Sequence, residues 1–329
     1  MFPQTRRLLA NNLRTNTKRL TYIATELKEN SDLFYSEIRI PKGRGRYRVV
    51  YKVAPGLAHL HSLLKRLLER LIPATGTSYA YETGVKLSDT AYRMQAHKLL
   101  VSLDFKNHFT SVSMWQVTKM LEFHGAPKEV AFLIARLCCI TKGKRSFLPQ
   151  GSVVSPLLSN RVSEHLLDPK LAQEYPEAKI TRYSDNLYIA FGSNEVSGVE
   201  VIESVKKLVR ESTGWRCHKC RVMPYYRQQR GLGLVLNEKA NMPTAKYLSM
   251  KAIAYNLAYK DQDEQLIKAR SKGYPEVGTI VELIDKLNHQ LVYWKQFLTE
   301  SKFSKLKSNL QLAEEKCNIE QQLDLPTLD

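Results

Sequence analysis

The stretch Lys179-Ile-Thr-Arg-Tyr-Ser-Asp-Asn-Leu-Tyr-Ile-Ala-Phe191 constrains this chain more than any other. Apolar Ile180, Leu187, Ile189 and Phe191 flank a short polar break at Ser184, Asp185 and Asn186, so the segment reads as strand, tight turn, strand. A carboxylate pinned on a hairpin tip does not drift and can hold a metal ion, provided a second carboxylate arrives from another strand. Asp104 is the candidate: it closes the apolar run Leu99-Leu-Val-Ser-Leu-Asp-Phe105, and Phe109 follows shortly after. Two carboxylates on adjacent strand ends are what a two-Mg²⁺ phosphoryl-transfer site requires.

The charge balance narrows the partner. The chain has 329 residues and a formal net charge of +18. The length suffices for a large core and two or three subdomains. Residues 1–70 hold 15 Lys and Arg against 5 Asp and Glu. Such an excess points to a polyanion, and nucleic acid fits better than a membrane because no basic amphipathic helix stands out. No apolar run approaches the roughly 18–20 residues of a membrane span, and Met1-Phe-Pro-Gln-Thr-Arg-Arg7 lacks the apolar centre of a secretory signal. The five cysteines, Cys138, Cys139, Cys217, Cys220 and Cys317, form an odd, sparse set, as expected of reduced thiols in the cytoplasm. Cys217-His-Lys-Cys220 has metal-like spacing, but no second Cys/His pair accompanies it.

Hydrophobic patterning predicts a helix over 4–30, two strands between Phe34 and Val53 around the basic loop Pro41-Lys-Gly-Arg-Gly-Arg46, and a Leu-rich helix from Ala54 to Leu71. Further helices are expected over 87–98, 114–122, 127–140, from the 148–156 turn to Leu167, and over 199–212. Strands are expected at 216–223 and 232–236, and residues 246–315 read as a separate helical subdomain. Strands interleaved irregularly with helices indicate an α+β fold rather than a doubly wound sheet.

Three segments carry chemistry. Asp104 lies in Val101-Ser-Leu-Asp-Phe-Lys-Asn-His-Phe109, with the Phe109 ring near enough to line a sugar pocket. In Leu148-Pro-Gln-Gly-Ser-Val-Val-Ser-Pro-Leu-Leu-Ser-Asn160, Gly151 permits close backbone approach and Gln150 offers a donor and an acceptor beside it. Asp185 is the shared metal ligand, whereas neutral Asn186 offers only a carbonyl oxygen. Taken singly, each has an ordinary reading as a strand cap, a helix start or a polar turn.

In this order and spacing the three segments resemble motifs A, B and C of reverse transcriptases, in particular the retron and group II intron-like lineage. Tyr183-Ser-Asp-Asn186 resembles the Tyr-x-Asp-Asp box. Arg48-Val-Val-Tyr51 resembles a fingers strand, and Ala80-Tyr-Glu-Thr-Gly84 resembles the segment before motif A. Gly214 to Lys219 resembles motif D, and Gly231-Leu-Gly-Leu-Val-Leu-Asn237 the primer-grip region.

The resemblance implies a right-hand polymerase fold: fingers and an antiparallel-sheet palm over 1–243, and a helical thumb over 244–329. It implies RNA-directed DNA synthesis from dNTPs on a DNA primer, with a dedicated noncoding RNA and a role in anti-phage defence. Alternatives are untemplated or repetitive-DNA synthesis, or a weakened-site nucleic-acid-binding subunit beside an active polymerase; a partner protein or homo-oligomer is compatible with each. Asp104, the Phe105 carbonyl, Asp185 and Asn186 would hold two Mg²⁺ ions, with Mn²⁺ as a substitute. Arg46, Arg48 and Lys42 would meet the triphosphate, Phe109 would exclude a 2′-hydroxyl, and Gln150, Gly151 and Tyr183 would border the nucleotide. Lys219 would act as general acid or phosphate contact, and Gly231 and Gly233 as primer grip. Val292-Tyr-Trp-Lys-Gln-Phe297 offers aromatics either to primer–template or to the thumb core.

Overall fold

The computed structural model describes residues 1–42, 45–271 and 273–323. Gly43 and Arg44 of the expected basic loop, Lys272, and the tail after Leu323 lie outside the described residues. The chain forms two compact units, Met1–Arg227 and Gln228–Asp329.

The first unit runs α1 (Arg6–Asn12), α2 (Thr17–Glu29), β1 (Tyr35–Pro41), β2 (Tyr47–Val53), α3 (Pro55–Leu71), α4 (Leu87–Met94), β3 (Leu99–Phe105), α5 (His108–Ser111), α6 (Met114–Phe123) and α7 (Lys128–Cys138). It continues through β4 (Ile140–Lys142), β5 (Arg145–Phe147), α8 (Ser155–Leu166), α9 (Asp168–Glu174), β6 (Lys179–Tyr183), β7 (Asn186–Phe191), α10 (Gly198–Thr213) and β8 (Cys217–Pro224). The helix expected over 4–30 is two helices. Arg14 adopts a left-handed φ of 52°, and the Asn16 side chain accepts from the Arg19 amide to start α2 anew. Leu8 is exposed, whereas Leu9, Leu13, Leu20 and Leu27 are buried. Helix α4 ends at Met94, short of the expected Lys98, because Ala96 turns the chain left-handed (φ 61°) ahead of β3.

The central sheet has the order β6-β7-β3-β8, antiparallel throughout. Strand β3 is its spine. Leu99, Leu100, Val101, Leu103 and Phe105 are buried, and only Ser102 and Asp104 break the apolar run, as expected where both faces are covered. Helix α10 packs on β3 and β8, and α4 packs on β6. The core extends from these strands into α3, α6, α7 and α8 through Leu64, Leu68, Met120, Ile134, Leu158 and Val162. The β1–β2 hairpin is a separate, largely exposed ribbon.

The second unit holds a minimal hairpin, β9 (Arg230–Gly231) and β10 (Leu234–Val235), then α11 (Thr244–Tyr259), α12 (Gln262–Ser271), α13 (Ile280–Trp294) and α14 (Glu300–Leu323). Leu232 and Gly233 both take positive φ at its tip, the conformation a two-residue hairpin turn requires. Its helices begin at Thr244. Leu306, Leu310 and Ala313 form a buried stripe on α14, which packs on α11 and α13. Trp294 and Phe297 are buried among these helices, while Val292 stays exposed.

Candidate active site

The sheet register brings the two carboxylates together. Asp104 pairs with Asn186 across β3 and β7, so Asp185, one residue earlier, sits on the turn beside it. The Phe105 amide donates to the Asp185 carbonyl at 2.7 Å, tying the hairpin tip to the end of β3. Ser184 takes a left-handed φ of 57° at that tip, and its hydroxyl shares a 3.0 Å hydrogen bond with the Tyr81 hydroxyl. Burial, then the charge of Asp104, raises the Asp185 carboxyl above its ordinary value. Two neighbouring carboxylates are stabilised by a shared cation. An all-oxygen set of two carboxylates and the Phe105 carbonyl suits a hard divalent ion. Among the described residues no group of three or more His, Cys, Asp or Glu is arranged to hold a metal. The Asn186 amide donates to Asp185 Oδ1 at 3.0 Å, so it acts here as a donor toward its neighbour.

Around these acids lies a cleft of about 550 Å³ lined by groups from four directions. Lys42, Tyr47 and Arg48 come from the β1–β2 ribbon, Phe109 from α5, Gln150 from the loop before α8, and His218 and Lys219 from β8. Lys42, Arg48 and Lys219 set three cations against two carboxylates, a balance that favours a polyphosphate. Phe109 is half-buried on the cleft wall rather than sunk in the core. Asn107 makes this possible: its left-handed φ of 52° turns the chain sharply after β3 into α5.

The loop before α8 is held at two points. The Tyr51 amide donates to the Gln150 carbonyl at 2.7 Å, and a Cβ on Gly151 would stand 2.4 Å from the Tyr51 carbonyl oxygen, at a φ of 123°. Glycine is therefore required where β2 meets this loop. Next to it, buried His61 lies 2.8 Å from both the Leu137 carbonyl, through Nε2, and the Ser152 hydroxyl, through Nδ1. A carbonyl only accepts, so Nε2 carries the proton and Nδ1 accepts from Ser152. Burial lowers His61 to about 4, keeping it neutral.

Behind the hairpin lies a second charged cluster, largely buried. Arg182 is 0% exposed. It donates twice to Asp168, at 3.1 and 2.9 Å, and to the Asn160 side chain at 3.1 Å. Asn160 in turn donates to the Ala80 carbonyl. Arg161 grips both oxygens of Glu82, at 2.8 and 2.9 Å, and reaches Glu164 at 3.0 Å. Burial raises the Glu164 carboxyl. This cluster joins α8, α9, β6 and the segment carrying Tyr81.

Of the residues singled out from the sequence, Asp104, Phe105, Asp185, Asn186, Lys219, Arg48, Phe109 and Gln150 line one cleft. Gly151 adjoins it through β2. Arg46 is exposed and does not line it, and neither does Tyr183, whose hydroxyl burial shifts upward. Gly231 and Gly233 lie in the second unit. Cys217 and Cys220 pack partly buried against the core, and burial pushes the Cys217 thiol up to about 12. Sequence reasoning missed His218, Tyr81, His61 and the Arg182 cluster. It also missed His108, whose ring is buried beside Phe105 and Trp215, 5.4 and 5.0 Å between ring centres, with neither nitrogen hydrogen-bonded. None of these has a local sequence signal, because each acquires its meaning from a partner far along the chain.

Residues 40–251 match the family model described as reverse transcriptase (RNA-dependent DNA polymerase). Retron Mx162 reverse transcriptase of Myxococcus xanthus is 28% identical over 257 residues, covering 70% of this chain and 52% of that protein. Retron Mx65 reverse transcriptase of the same organism is 24% identical over 260 residues, covering 73% and 59%. The chain thus spans little more than half the length of these curated relatives. Among solved structures, telomerase from Candida albicans with a fragment of telomeric RNA aligns with a TM-score of 0.46 at 11% identity, covering 89% of this chain and 61% of that one.

Proposed function

The chain belongs to the reverse transcriptase family and has the α+β right-hand polymerase fold, and from that premise we propose that it is an RNA-directed DNA polymerase of the retron type. The observation that carries the reading is the meeting of Asp104 and Asp185 on adjacent strand ends in a cleft that also contains Phe109, Gln150 and three cations. In the proposed reaction a primer 3′-hydroxyl attacks the α-phosphate of a dNTP, forming a phosphodiester and releasing pyrophosphate. Asp104, the Phe105 carbonyl and Asp185, with Asn186 contributing at most a neutral oxygen, would hold two Mg²⁺ or Mn²⁺ ions, which supply charge stabilisation and activation of the attacking hydroxyl.

The chain's own groups do the rest. Lys42 and Arg48 neutralise the triphosphate. Phe109, on the cleft wall, would exclude a 2′-hydroxyl, which favours dNTP over NTP. Gln150 borders the nucleotide on a loop that Gly151 and His61 keep rigid. Lys219, free to leave Asp104 on its flexible stem, donates a proton or a charge to the departing pyrophosphate. Fingers and palm over 1–243 and a thumb over 244–329, with Gly231 and Gly233 as primer grip, complete the assignment. The basic surface of the first unit would hold the template, and the retron relatives support a dedicated noncoding RNA in that role. Anti-phage defence is the biological setting we assign.

A reading as a nucleic-acid-binding subunit has one observation in its favour, the neutral Asn186 in place of a second acid. Purified protein with its co-purifying RNA, Mg²⁺ or Mn²⁺ and labelled dNTPs should extend DNA, and sequencing the product separates templated from untemplated synthesis. No incorporation, together with an Asp185→Asn variant that behaves as the native protein in a phage challenge, would leave only the binding role.

A further inference from the structure

Strand β8 does not run straight past the catalytic end of β3. Ser102 pairs with Arg221, but Asp104 pairs with His218, so Leu103 alone faces both Lys219 and Cys220. This is a β-bulge, and Lys219 adopts the left-handed φ of 50° that such an extra residue brings. A regular strand would send His218 and Lys219 to opposite faces. The bulge lets both reach Asp104, while Cys217 and Cys220 pack against the core.

The two contacts differ in kind. Lys219 Nζ reaches Asp104 Oδ2 at 3.2 Å from a side chain that is 64% exposed. A flexible, solvated ammonium of this sort contributes little and holds nothing rigidly. His218 Nδ1 lies 3.0 Å from the Asp104 carbonyl oxygen and 3.3 Å from Oδ1 of the same residue. The carbonyl can only accept, so Nδ1 carries the proton. This N–H hydrogen-bonds the Asp104 carbonyl and lies within ion-pair distance of Oδ1, and an imidazole has only two side-chain torsions to fix. No comparable brace comes from the other side, because Asn186, opposite Asp104 on β7, donates to Asp185 instead. Among the described residues the Asp104 carboxylate therefore has two polar partners, and only His218 is stiff.

We infer that His218 is a positioning residue: delivered by the β8 bulge, its Nδ1–H locks the Asp104 carboxylate in the orientation that receives a divalent cation. The inference rests on the polymerase reading for its catalytic consequence but not for its structural one.

The test uses the geometry of the two ring nitrogens. An asparagine amide nitrogen stands close to where Nδ1 stands, whereas a glutamine amide reaches the place of Nε2. In the full chain, His218→Asn should keep Mn²⁺ affinity, read by electron paramagnetic resonance without nucleic acid, within about 3-fold of native. His218→Gln and His218→Ala should weaken it about 10-fold, with unchanged melting temperature. In primer extension the same two variants should lower kcat and raise the Mg²⁺ requirement, with the KM for dNTP unchanged. Long-range ¹H–¹⁵N spectra should show His218, identified by the signal lost in His218→Asn, protonated at Nδ1. Equal Mn²⁺ affinity in all variants, or a proton on Nε2, overturns the inference. Absence of DNA synthesis by the native protein falls instead on the polymerase reading, and the Mn²⁺ and tautomer results still decide the role of His218.

Discussion

Two charged clusters lie three residues apart along one hairpin and are built on opposite terms. At Arg182 the charges are paired: Asp168 and Asn160 take the guanidinium, Glu82 and Glu164 take Arg161, and the group is largely buried. At Asp185 the charge is left over. Two carboxylates face each other, burial and mutual repulsion raise the Asp185 carboxyl, and their surroundings open to a cleft rimmed by cations. The same residue types serve structure where they are saturated and function where they are not. The difference also explains why a hairpin tip that borders a cleft can be rigid: its base is anchored by buried ion pairs and its apex by the Phe105–Asp185 backbone bond.

This contrast can be broken at several points. Asp185→Asn should reduce DNA synthesis by about 1000-fold or more, roughly 4 kcal/mol of transition-state stabilisation, while the melting temperature holds or rises because a repelling charge is gone. Arg182→Met should do the reverse. Stranding Asp168 in the interior costs about 3–5 kcal/mol, seen as a lower denaturant midpoint, with activity lost only in proportion to unfolding. A measurably stable but inactive Arg182→Met protein would show that the cluster tunes the site rather than supports it.

The loop anchor at His61 predicts a pH effect. Its folded value, about 4, lies below the 6.5 of an exposed imidazole. The unfolded chain therefore binds the extra proton first. The stability linked to His61 is complete above about pH 6.5 and falls as pH drops toward 4, by about 3 kcal/mol in all. Urea midpoints across that range should fall less steeply in His61→Gln than in the native protein. Phe109→Ala should relax discrimination against NTPs by about 10- to 100-fold with stability changed by no more than about 1 kcal/mol, because the ring lines a cleft. A large stability loss would return Phe109 to the core. Gly151→Ala, forcing a Cβ against the Tyr51 carbonyl, should cost about 1–3 kcal/mol and raise the KM for dNTP as Gln150 shifts.

The strand–turn–strand of 179–191 and the run ending at Asp104 were legible because period-two apolar patterning and short polar breaks are local signals. Their pairing followed only from the order of the three motifs. The break at Arg14, the bulge at Lys219 and the turn at Asn107 were not legible, since each places a non-glycine residue at positive φ that tertiary contacts impose. The Arg182–Asp168 and Arg161–Glu82 pairs join residues 14 and 79 positions apart, and nothing in either neighbourhood marks them. The β4–β5 hairpin escaped because its strands are three residues each.

The most direct test of the central claim, that Asp104 and Asp185 form a cation-dependent nucleotidyl-transfer site, is single-turnover incorporation of labelled dNTP in Mg²⁺ by native protein and by Asp104→Asn and Asp185→Asn variants of matched melting temperature. The native protein should extend the primer, and chelator or either substitution should abolish extension. Extension that survives both substitutions would contradict the claim.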